Sequence, residues 1–68
     1  MNIEAIEDDA TRVVSSINNA INDKNPPTPR KIELCESYMD ELMLLGFTCS
    51  AQAVNNSLNR WCELLLDA

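Results

Sequence analysis

Any covalent chemistry in this chain has to come from thiols and carboxylates, because its 68 residues include no histidine and a single glycine. Without an imidazole there is no general base poised near neutral pH, and one glycine cannot build a loop that cradles phosphates. The three cysteines, Cys35, Cys49 and Cys62, cannot all pair, lack C-x-x-C spacing and have no histidine to complete a zinc site. Cys35 and Cys62 fall on or beside apolar seams, where cysteine behaves as a small hydrophobe. Cys49 lies in a turn and is the thiol expected to be exposed. The residue types therefore predict a protein that is not an enzyme and holds no cofactor, metal or small-molecule substrate.

Binding chemistry is better represented. Glu33, Glu36 and Asp40 share one stripe of a helix, and Glu4, Asp8 and Asp9 add to it. A line of carboxylates of this kind imitates nucleic-acid phosphates and suits a basic site on another protein. The same residues also describe an ordinary solvated helix face.

A second polar face is made of Gln52, Asn55, Asn56, Asn59 and Arg60, and amides are poor helix formers that often appear for another reason. The stretch Leu45-Gly46-Phe47, a short turn and then Ser50, Ala53, Val54, Leu58 and Trp61 resembles the second half of a helix-turn-helix over about 20 residues. That resemblance implies a DNA-binding regulator in which the amides pair with adenine edges and Arg60 with guanine. It departs from the usual pattern in supplying one positive charge to grip phosphates. Eleven acidic residues against five basic ones give a formal charge of −6, which repels nucleic acid and anionic lipid alike. A protein partner is the favoured expectation and DNA the alternative. Plain solvation of an exposed helix also accounts for these asparagines, as for Asn18, Asn19 and Asn22.

Three helices must position these faces. Ile3, Ile6, Ala10, Val13, Ile17 and Ala20 step by 3, 4, 3, 4, 3, predicting a helix over 2–23, with Glu4, Glu7, Asp8 and Asp9 in its first turns and Lys24 at its far end. Pro26 and Pro27 break it. Thr28 followed by Pro29 predicts an N-cap and a second helix over 29–45, stopped at Gly46. Its main seam is Ile32, Cys35, Met39 and Leu42, with Leu34, Tyr38 and Leu45 on an adjoining line. Two apolar lines imply two packing partners. The clearest seam, Ala51, Val54, Leu58, Trp61, Leu65 and Ala68, predicts a third helix over 50–67, capped by Thr48 or Ser50, with Phe47 as a hydrophobic staple. No run alternates in the manner of a strand.

The fold class expected is thus all-α, a single three-helix domain over 1–68. A chain this short buries only about 60% of its unfolded surface and usually needs outside support. With 46% apolar residues and no staple, that support is expected from a homodimer. The runs Leu42 to Leu45 and Leu64 to Leu66 exceed what one buried stripe absorbs, so Leu42, Leu45, Trp61, Leu64 and Leu65 are the expected interface. The opening residues carry no basic stretch and no unbroken apolar run, and nothing approaches the roughly 20 apolar residues of a membrane span. A cytoplasmic location with reduced thiols is expected.

Overall fold

The helix boundaries follow from local capping chemistry. The computed structural model describes residues 2–66: α1 (Ile3–Asn22), α2 (Pro29–Leu44) and α3 (Thr48–Cys62), then a 3-10 turn at Glu63–Leu65, with no strand among the described residues. Asn2 caps α1 by accepting the Ala5 N–H at 3.3 Å. Thr28 does the same for α2 through the Lys31 N–H at 3.2 Å, with Pro29 in the first helical position, where its missing donor costs nothing.

Both α1 and α2 end in the same motif, in which a left-handed residue turns the chain back on the last carbonyls. At α2 that residue is Gly46, φ +90°; its N–H reaches Met43 O at 3.1 Å and the next N–H, of Phe47, reaches Leu42 O at 2.8 Å. At α1 it is Lys24, φ +58°, with the Lys24 and Asn25 N–H groups donating to Ile21 O and Ala20 O at 3.0 and 2.9 Å. A side chain in this region costs about 1–2 kcal/mol that glycine avoids. The motif also corrects one expectation. It delivers Phe47 straight into the cap position of α3, where its carbonyl accepts the Ala51 N–H at 3.0 Å. The helix therefore starts at Thr48, earlier than predicted. No side chain caps it, and Phe47 occupies the cap itself instead of stapling from outside.

The helices run up, down and up, and α3 is the central element. It packs along both α1 and α2, which lack comparable packing against each other. Its seam residues Ala51, Val54, Leu58 and Trp61 are all buried. Towards one end Ala51 and Val54 meet Ala10 and Leu42, with Ile6, Val14, Tyr38 and Phe47 around them. Towards the other, Leu58 and Trp61 meet Ile17, with Ile21, Ile32 and Leu64 around them. Ser57, on the same buried face, was not expected there. Its small side chain accepts a long hydrogen bond of 3.5 Å from Arg60.

The seam does not continue as predicted. After Cys62 the chain tightens from 3.6 to about 3 residues per turn, which rotates Leu65 off the buried stripe and leaves it exposed. Asp67, the predicted end of the helix, and Ala68, the last seam position, lie outside the described residues. No described helix is long and apolar enough to cross a membrane.

Candidate functional site

The outer face of α2 carries the acidic line. Ile32, Cys35, Met39 and Leu42 turn towards α3, so Glu33, Glu36 and Asp40 project outward, and all three are exposed. The stripe does not stay polar along its length. Leu44 lies four residues beyond Asp40, in line with it and with Glu33, and is 88% exposed; Met43 beside it is also exposed. The face is thus a row of carboxylates ending in two apolar side chains, which solvation alone does not require.

The adjoining line, Leu34, Tyr38 and Leu45, is only partly covered. Tyr38 bridges to α1 by donating its hydroxyl to Asp9 Oδ2 at 3.1 Å, while Leu34 and Leu45 remain exposed. Asp9, expected as part of the free acidic surface, is in this way tied to a neighbouring helix. Burial, the hydrogen bond to Asp9 and the charges of Asp9 and Glu41 push the phenol up to about 12 from its ordinary value near 10. A raised folded-state value means that the native chain holds the proton more tightly than the unfolded chain. The contribution is complete below pH 10 and is lost as the pH rises through about 12. Tyrosinate absorbance of this single-tyrosine chain is expected to titrate near that upper value and to move back towards 10 on Asp9→Asn. A midpoint near 10 in the unmodified protein contradicts the contact.

On α3 the predicted reading residues are not equally free. Gln52, Asn56, Asn59 and Arg60 are exposed and Asn55 is half-buried. Gln52 donates to Asn56 Oδ1 at 3.0 Å along the helix. Arg60 is turned onto α1, donating to Asn18 Oδ1 at 2.9 Å. The single cation of α3 already has a partner within the fold, and Asn18 gains a structural role that sequence reasoning did not give it.

Of the predicted interface residues, Leu42 and Trp61 are 1% and 5% exposed and belong to this chain's own core. Leu64 is half-buried against the cluster around Trp61, and Leu45 and Leu65 are exposed. Besides Ile3 and Leu34, the uncovered apolar surface gathers at two places. One comprises Met43, Leu44 and Leu45 where α2 ends; the other comprises Leu65 and Leu66 where α3 ends, with Leu66 84% exposed. Trp61 anchors the latter end. Its Nε1–H donates to Asn25 O at 2.6 Å, and Lys31 Nζ lies 6.0 Å from the ring centroid.

The thiols lie as the seams dictate. Cys49 is exposed, while Cys35 and Cys62 are half-buried in the same cluster, where burial, and secondarily the nearby Cys62, push the Cys35 thiol up. Native alkylation is expected to label Cys49 well ahead of Cys35, since partial burial and the raised thiol both slow reaction at Cys35. Equal rates at the two sites would count against this packing. Among the described residues no cluster of histidine, cysteine and carboxylates is arranged to hold a metal, and every buried side-chain polar atom has a hydrogen-bond partner.

Sequence reasoning missed the pairing of Arg12 on α1 with Lys31 on α2 across a groove. Each stands one position from a seam residue, Val13 and Ile32, but nothing in either helix alone indicates that the two face a common space. No family model matches the chain, and no curated protein or solved structure matches it.

Proposed function

We propose that this chain is a non-enzymatic protein-binding module, a small acidic regulator or inhibitor that acts in the cytoplasm by occupying a surface of a partner protein, and that it works as a homodimer. The observation that carries this reading is the outer face of α2, where Glu33, Glu36 and Asp40 lead into the exposed Met43 and Leu44. Carboxylates steer the encounter with a basic site, and an apolar anchor at one end of the line supplies area that is removed from water on docking. Few interface residues carry most of a binding energy, and an exposed leucine beside a charged row is a fitting anchor. DNA reading by α3 is the weaker account, because Arg60 is held by Asn18 and no second cation lies on that helix.

A photo-crosslinking residue at Leu44, compared with one at Asn19 on α1, tests the assignment in cells. A protein adduct from position 44 that disappears on charge reversal of the α2 line supports it. Adducts to nucleic acid from a third cross-linking residue at Asn59, with none from position 44, refute it.

A further inference from the structure

Because α1 and α2 both lean on α3 without packing extensively on each other, a groove of about 320 Å³ remains between them. Trp61 forms its floor, Val13 and Ile17 one wall, Leu34 the other, and Arg12 and Lys31 stand at its edge. Two of the chain's five cations thus border one apolar space in a molecule of charge −6. Its complement is an apolar chain segment carrying a carboxylate.

The molecule presents such a segment itself. Glu63, Leu65 and Leu66 are exposed on the turn that follows α3, while Leu64 is anchored in the cluster around Trp61. That anchoring fixes the turn at the end of the molecule where Trp61 sits. We propose that two copies meet at this end about a twofold axis, each placing Leu65 and Leu66 in the α1–α2 groove of the other, with Glu63 against Arg12 and Lys31. The exchange is self-complementary, as a twofold interface requires. It covers Leu34, Leu65 and Leu66 together, whereas a small amphiphile filling the groove would leave Leu65 and Leu66 in water. Enclosing Lys31 over the Trp61 ring also strengthens that contact by removing solvent from it. The inference rests on the homodimer reading and locates its interface here instead of at Met43–Leu45.

Light scattering and sedimentation of the full chain at roughly tens of micromolar, the range where a modest twofold interface is populated, provide the test. The unmodified chain is expected to be a dimer. Leu66→Asp is expected to weaken it by about a hundred-fold, as loss of a central contact does, and Arg12→Glu, which sets like charges together at the edge, by about ten-fold. The double variant Arg12→Glu with Glu63→Arg is expected to restore it. Leu66, Arg12 and Glu63 are all exposed, so helicity by circular dichroism should be unchanged in these variants. A dimer that survives Leu66→Asp and is lost on Leu44→Asp overturns the exchange while preserving the homodimer. A monomer throughout the concentration range overturns both. A monomer whose Trp61 emission shifts on adding decanoate makes the groove a small-carboxylate site and likewise overturns the exchange.

Discussion

Trp61→Ala is expected to abolish cooperative unfolding of this protein, whereas Trp61→Phe should leave a folded chain with a lowered melting temperature. Truncating a buried tryptophan costs about 3–5 kcal/mol through lost transfer energy and the cavity left behind. At about 0.05–0.15 kcal/mol per residue, a chain of this size has little more stability than that to lose. Trp61 does more than fill space. It packs with Ile17 and Leu58, and through Nε1 it holds the Asn25 carbonyl and thereby the connection between α1 and α2. Phenylalanine keeps a ring in the core but loses that hydrogen bond and the volume of the second indole ring, so the expected loss is about 1–3 kcal/mol. Thermal denaturation followed by circular dichroism distinguishes the two variants. A Trp61→Ala protein that melts within a few degrees of the parent removes the tryptophan from its place at the centre of the fold.

That the fold could be read from the sequence follows from how its helices are specified. Each seam is periodic over about three turns or more, and several boundaries are marked by a residue with one dominant local preference. Thr28–Pro29 opens α2 and Gly46 closes it as their backbone chemistry requires. The errors lie where two local rules compete. A serine or threonine was expected to cap α3, but the turn at Gly46 places Phe47 in that position. Leu65 fits an α-helical seam by count and is displaced because the last turn is 3-10. Lys24 at a left-handed position has no signature, since its neighbours and not its own preference place it there.

The site was legible only in part. The acidic line of α2 depends on spacing within one helix and could be counted. Arg60 is a different case, because its partner Asn18 is 42 positions away and lies on a helix whose rotation the sequence does not specify. The same limit applies to Tyr38 with Asp9 and to the groove between Arg12 and Lys31. Trp61 and Leu42 were offered both to the core and to an interface. Both lie in the chain's own core, Trp61 on the stripe that α3 turns towards its two neighbours and Leu42 where α2 meets that stripe.

Charge reversal on α2 is expected to have the largest effect on function. Glu33→Lys, Glu36→Lys and Asp40→Lys together should slow association with the partner cross-linked from position 44 by about ten- to a hundred-fold at low salt, with a smaller change in dissociation. These three changes move the formal charge from −6 to zero, so solubility or nonspecific attraction has to be separated from loss of the face. Glu7→Lys and Asp23→Lys change the charge at exposed positions outside that acidic surface and provide the control. If the α2 face docks on a basic surface, only the α2 set weakens binding, the difference shrinks as salt screens the steering field, and Asn55→Ala has little effect. If α3 instead reads DNA, the α2 set relieves repulsion and tightens a complex that Arg60→Ala weakens. The two readings therefore assign opposite signs to the same three substitutions. The first is the expected outcome, because α3 commits its only cation to Asn18 while the carboxylates of α2 and the leucine in line with them face outward.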